Sequence, residues 1–218
     1  NINEGTTVSD YRKNEIEHQH SISLSLLNFE WLEKKFNILD APGYLDFHGE
    51  VKSSLRVADF AAVVVNAVEG IEVGTELIWD YAKEDAIPRL IIVNLTDRDQ
   101  SKFDTVLSSL QERYGRTVFP FMVPVNEGEG FNKTADVLRK EIYTFKTDGS
   151  GDYSEEKTDG EWADKLDALH EELIELIAES DDSLLEKFFD EGELSEDDLR
   201  GGLHAAFQSR GLIPVFCT

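Results

Sequence analysis

At 218 residues, 40% hydrophobic and with three tryptophans, the chain is long enough for one large or two small folded domains with a real core. No apolar run reaches the length of a membrane span and no signal peptide is visible, and the single Cys217 excludes an internal disulfide and fits a reducing, cytoplasmic compartment. The formal net charge is −24, with twenty acidic and four basic residues between 151 and 200; that half is a poor match for a phosphate backbone, which needs a basic footprint, and a good one for a basic protein partner or simply a solvated acidic face.

The first half alternates strands and helices. Ser21-Ile22-Ser23-Leu24-Ser25-Leu26 changes character at every residue, as a half-buried strand does. A second strand is expected over 35–39. The run 60–65 is short and apolar throughout, which predicts a strand buried on both faces. A helix is expected over 76–83 and a buried strand over 89–93, ending at Asn94. Phe103, Val106, Leu107 and Leu110 follow helical spacing. Such alternation predicts an α/β fold on a mostly parallel sheet.

From 117 the character changes. Residues 117–125 are β-like but contain Pro120 and Pro124, which places them at a sheet edge or in irregular structure. Residues 126–130 read as a turn, and the polar, Gly-containing stretch 147–160 as a flexible loop. A helix from Trp162 carries Leu166, Leu169, Leu173 and Ile177 on one stripe. Another begins after Ser195, whose spacing to Asp198 matches a capping box with Asp in place of Glu; Leu199, Leu203 and Phe207 form its expected buried face. A last short strand is expected over 212–216.

The chemistry concentrates in Asp40-Ala41-Pro42-Gly43, at the end of the strand over 35–39. An Asp at a strand end followed at the third position by Gly is how a nucleotide-hydrolysing protein reaches Mg²⁺ and the last phosphate: the carboxylate serves the metal, and the Gly lets a backbone N–H approach without a Cβ. An ordinary turn uses the same residues.

Three further runs share the chain with it: Glu4-Gly5-Thr6-Thr7-Val8-Ser9-Asp10, Val73-Gly74-Thr75-Glu76 and Asn94-Leu95-Thr96-Asp97. Leu184-Leu185-Glu186-Lys187, Glu193-Leu194-Ser195 and Ile213-Pro214-Val215 follow. In this order the runs resemble the GTPase region of bacterial elongation factor G over nearly the whole chain, and most of all a paralogue subgroup with Asp-Ala-Pro-Gly-Tyr. The resemblance implies a P-loop GTPase-type doubly wound sheet over 1–116, an inserted α+β subdomain over 117–195, and a returning helix and strand over 196–218.

Under that resemblance Asp40 holds Mg²⁺, Gly43 contacts the γ-phosphate, and Ser21 supplies a hydroxyl to the metal where the family has Thr; Ser21 also fits an ordinary strand residue. Asn94 and Asp97 match the guanine-reading motif, the Asp carboxylate accepting from two guanine nitrogens. They also fit a strand-end turn and a helix N-cap. Leu95 replaces the family's Lys, and its loss of cation and aliphatic cover is expected to weaken nucleotide binding by ~1–2 kcal/mol. Tyr44 replaces the His that positions the attacking water; Tyr can hydrogen-bond a water but is a poor base near neutral pH, and it also fits a surface aromatic. His18 and His20 share a face without a third ligand, which argues against a metal site there.

The phosphate-cradling pattern Gly-x-x-x-x-Gly-Lys-Ser/Thr is absent from the 218 residues. GTP or GDP with Mg²⁺ is therefore expected in the intact protein, and weak or no nucleotide binding by this stretch alone, which reads as a piece of a longer protein. The resemblance further implies a role in translocation on the ribosome and contact of the acidic insertion, through Glu171, Glu172, Glu175 and Glu179, with the ribosomal stalk protein. No direct DNA or membrane contact is expected. The other reading is an acidic interaction module on the ribosome whose GTPase half has degenerated.

Overall fold

A computed structural model describes residues 2–192 and 194–218; Glu193 of the Glu193-Leu194-Ser195 run lies outside the described residues. The chain divides into two compact units, Asn1–Ala61 with Val73–Ile87, and Ala62–Glu72 with Pro88–Thr218. No helix among the described residues is long and apolar enough to cross a membrane.

In the first unit a short helix, α1 (Lys13–His18), precedes an antiparallel hairpin of β1 (Ser25–Trp31) and β2 (Lys34–Asp40). Leu32 and Glu33 both take positive φ, 48° and 59°, the geometry that a two-residue hairpin turn demands. Two helices follow, α2 (His48–Leu55) and α3 (Val73–Glu84). Val51, Leu55 and Ala82 pack with Ala41, Ile78, Tyr81 and Ile87 into a small core.

The strand read over Ser21–Leu26 is corrected here: β1 starts at Ser25. The backbone donors of Ile22 and Ser23 go to the Glu15 carboxylate, and that of Leu24 to Glu50 Oε2, so no ladder can form through them.

In the second unit β3 (Ala61–Asn66), β4 (Arg89–Asn94), β5 (Val118–Pro120) and β10 (Ile213–Cys217) form a sheet in the order β3-β4-β10-β5. The last strand, β10, runs parallel to both β4 and β5. With α4 (Phe103–Tyr114) this is the α/β arrangement expected from the alternation. The expectation that both faces of β3 are buried fails: Val63 and Val65 are buried while Val64 is 58% exposed, because β3 is an edge strand with one face covered.

A second, antiparallel sheet follows the order β6 (Met122–Pro124), β7 (Lys133–Asp136), β8 (Glu141–Phe145), β9 (Tyr153–Lys157). Both prolines lie on edge strands, as proline requires. Between β5 and β6 stands one residue, Phe121. Its N–H donates to Val215 O at 2.8 Å and its carbonyl accepts from Val137 N at 3.0 Å. The flexible loop expected over 147–160 is corrected by β9, which pairs with β8 from Phe145↔Tyr153 to Glu141↔Lys157.

Three helices complete the unit: α5 (Gly160–Ala178), α6 (Asp182–Glu191) and α7 (Glu196–Ser209). Leu166, Leu173 and Ile177 of α5 are fully buried, worth about 1.5–3 kcal/mol each. His170 Nδ1 donates to Val137 O at 3.1 Å, tying α5 to the antiparallel sheet. The capping box at Ser195 and Asp198 is present; Lys187, then Ser195, hold the Asp198 carboxyl at about 2. On α7 the expected face shifts. Leu199, Leu203 and Phe207 are half-buried, and Gly202 and Ala206 are the buried residues. A Cβ on Gly202 would meet Ile177 Cγ2 and Leu184 Cδ1 at 2.6 Å, so this glycine sets how closely α7 approaches α5 and α6.

Candidate nucleotide site

The candidate residues fall in two groups, one in each unit. In the first unit, β2 delivers Asp40 at its last position, half-buried, and no hydrogen bond or ion pair reaches its carboxylate among the described residues. Pro42 is buried and Gly43 exposed. A Cβ built on Gly43 would meet nothing within 4 Å, and its φ is not in the left-handed region. Nothing in the protein itself therefore calls for glycine there, whereas close approach by a phosphate would. Mg²⁺ is bound through one or two carboxylates with waters and substrate phosphates, so an unengaged strand-end carboxylate beside an open backbone fits that ion. No group of three His, Cys, Asp or Glu able to hold a metal exists among the described residues, His18 and His20 included.

Ser21 lies in the segment before β1. Its hydroxyl donates to Asp10 Oδ1 at 2.7 Å, which leaves its lone pairs available to a cation. The segment is held by Glu15, only 1% exposed, whose carboxylate accepts from Arg12 N at 3.3 Å, Ile22 N at 3.2 Å and Ser23 N at 3.1 Å. Burial pushes that carboxyl up, but the three backbone donors and the Arg12 guanidinium outweigh it and keep it below the ordinary carboxylate range. Tyr44 follows Gly43 in extended conformation, 58% exposed, with its ring 4.4 Å from that of His20.

In the second unit Asn94 closes β4. Its Oδ1 accepts from Leu95 N at 2.7 Å, and its carbonyl accepts from Ala67 N at 2.8 Å. Leu95 takes φ 68°, a left-handed conformation costing about 1–2 kcal/mol for a residue with a Cβ. Thr96 is fully buried and fastens the turn: its N–H donates to Thr218 O, its hydroxyl to Val93 O, and its carbonyl accepts from Gly128 N at 2.9 Å. The turn thus presents Asp97 outward, its side chain 61% exposed, with Arg98 approaching at 4.0 Å. Asn94 and Asp97 stand at the carboxyl ends of parallel strands, where open α/β sheets bind ligands.

The sequence reading missed Glu15, Asp10 and Thr96 as supports of these groups. The position of Thr96 inside the Asn94–Asp97 run was a usable signal, whereas nothing local announces that Glu15 reaches Ile22 and Ser23.

A parallel α/β sheet with an Asn-x-x-Asp turn at the end of β4, in a chain that also carries Asp-x-x-Gly at the end of β2, fits a guanine-nucleotide-binding class of domain. The chain belongs to the elongation factor Tu GTP-binding domain family, whose profile matches residues 1–217. It is similar to a crystal structure of a protein from Thermus thermophilus, with a TM-score of 0.92 and 29% identity, over 100% of this chain and 32% of that chain. The chain therefore spans 32% of the length of that protein.

Proposed function

We propose that these residues supply the phosphate-sensing and base-reading parts of an elongation factor G-like translational GTPase, of the subgroup with Asp-Ala-Pro-Gly-Tyr, that hydrolyses GTP on the ribosome during translocation. The observation that carries this reading is the turn from Asn94 to Asp97, fastened on three sides through Thr96 so that the Asp97 carboxylate faces outward, with the Arg98 guanidinium beside it at 4.0 Å. In this reading Asp97 accepts from the guanine ring and Asn94 holds the turn. Gly43 offers its N–H to the γ-phosphate, and Asp40 with Ser21 would hold Mg²⁺. When bound, the ion neutralises charge that develops on the phosphate oxygens. The 218 residues lack the phosphate-cradling pattern, so they bind GTP weakly by themselves.

A second reading is an acidic module that docks on the ribosome without turnover. Leu95 in place of the ring-covering Lys favours it, as do the exposed Glu171, Glu172, Glu175 and Glu179 on α5, which suit a Lys-rich stalk surface. The experiment that separates the two is GTP hydrolysis by the full-length protein with and without ribosomes. Hydrolysis that rises with ribosomes supports the GTPase. Ribosome binding that ignores nucleotide, with no turnover, supports the module and overturns the first reading.

A further inference from the structure

Position 44 carries Tyr where the family resemblance expects a water-positioning His, yet the ring lying against Tyr44 is an imidazole. The centroids of His20 and Tyr44 are 4.4 Å apart at an interplanar angle of 47°. Phe47 at 6.2 Å and His18 at 5.8 Å are the other rings around His20. The Nδ1 of His20 lies 3.0 Å from the carbonyl oxygen of Ser21. A carbonyl only accepts, so this contact places a proton on Nδ1, and in the neutral ring Nε2 then carries the lone pair. No other hydrogen bond reaches the ring among the described residues. An imidazole in that tautomer is a hydrogen-bond acceptor whose direction is set by its backbone contact.

The contact is built into the segment. Glu15 takes the N–H groups of Ile22 and Ser23, and Asp10 takes the Ser21 hydroxyl, so the three residues after His20 are all fastened. Across from it, Tyr44 directly follows Gly43, the residue whose backbone is open to a phosphate. His20 thus stands against the residue that follows the expected γ-phosphate contact, with Nε2 the ring nitrogen not engaged by the backbone.

We propose that His20 is the water-positioning residue of this GTPase, acting from the segment before β1 in place of a His at position 44, with the Tyr44 ring as the surface on which the imidazole rests. This rests on the GTPase reading above. In the reaction the water oxygen bonds to the γ-phosphorus. The bond from that phosphorus to the β–γ bridging oxygen breaks, its electron pair staying on GDP, and the water proton ends on a phosphate oxygen. Nε2 accepts a hydrogen bond from the water and directs its oxygen, with no net proton transfer to the imidazole.

The test is single-turnover GTP hydrolysis by the full-length protein, with and without ribosomes, alongside binding of a fluorescent GTP analogue. His20→Ala is expected to slow hydrolysis about 10²-fold while changing affinity by no more than about threefold, the range for loss of a positioned acceptor. Added imidazole restores part of the lost rate, and His20→Gln, which keeps an acceptor oxygen, falls between wild type and His20→Ala. The neighbouring His18→Ala leaves the rate unchanged. A wild-type rate in His20→Ala, or affinity falling in step with rate in both His20 variants, overturns the assignment while leaving the GTPase reading intact. No hydrolysis by the wild-type protein under either condition overturns both.

Discussion

The two units are each held by different means. In the first, the buried cluster is small, and Leu26, Trp31 and Leu32 of the hairpin are 65%, 64% and 78% exposed. Its order between Asp10 and Ser25 depends on side chains capturing backbone groups, with Glu15 at the centre. In the second, Ile91, Val93, Phe103, Leu110, Leu166, Leu173, Ile177 and Val215 are all fully buried. Hydrogen bonds of about 0.5–1.5 kcal/mol each can be exchanged for bonds to a ligand; a packed core cannot be rearranged so cheaply. The residues proposed to sense phosphate stand on the exchangeable kind of support and those proposed to read the base on the packed kind.

The comparison is most exposed to Leu173→Ala, which should destabilise the protein by about 2–5 kcal/mol in denaturant unfolding. A loss below about 1 kcal/mol would mean that α5 is not a core element. Glu15→Ala comes next: orphaning three backbone donors should cost about 1–3 kcal/mol, seen as faster hydrogen exchange at Ile22 and Ser23 with little change in the second unit. Because the folded carboxyl lies below its unfolded value, this support is complete above about pH 4.3 and disappears as pH falls through the folded value, so exchange at those two amides should rise on acidification. Spread of the Glu15→Ala effect into α5 would erase the distinction between the units.

Leu95→Lys should strengthen GTP binding by the full-length protein by about 1–2 kcal/mol, measured by titration with nucleotide. A changed turnover at unchanged affinity would show that the turn does more than read the base. Smallest is Ser195→Ala, which removes the α7 cap at a cost of about 1 kcal/mol, read from thermal unfolding. No loss there would show that the packing at Gly202 alone fixes the helix.

What the sequence disclosed follows from where the information is local. Asn94, Asp97, Asp40 and Gly43 could be singled out because a strand end and a spacing of three mark them, and the structure does place Asp40 and Asn94 at the ends of β2 and β4. The α7 start is legible because a cap lies within four residues. The strand β9 is hidden because all five of its residues are exposed and Ser154 to Lys157 are polar, so its pairing with β8 runs through the backbone and the Tyr153 ring rather than through an apolar alternation. Ser21–Ser23 mimics a strand, since alternation cannot reveal that a buried carboxylate from α1 has claimed the amides. Helix α6 has no residue among its described side chains that is fully buried, so its pattern offered no core stripe to follow. The pairing of His20 with Tyr44 joins residues 24 positions apart, and no sequence period connects them.

The single residue between the two sheets of the second unit has a mechanical consequence. The N–H of Phe121 belongs to one sheet and its carbonyl to the other, with no intervening linker to take up rotation. Tilting the antiparallel sheet against the parallel one must break one of these two bonds or bend β10, and Thr218, the residue directly after β10, accepts from Thr96 N in the Asn94–Asp97 turn. The second unit is therefore a stiff lever rather than a pair of hinged plates, and a load applied at β6–β9 is felt at the strand that supports Asp97.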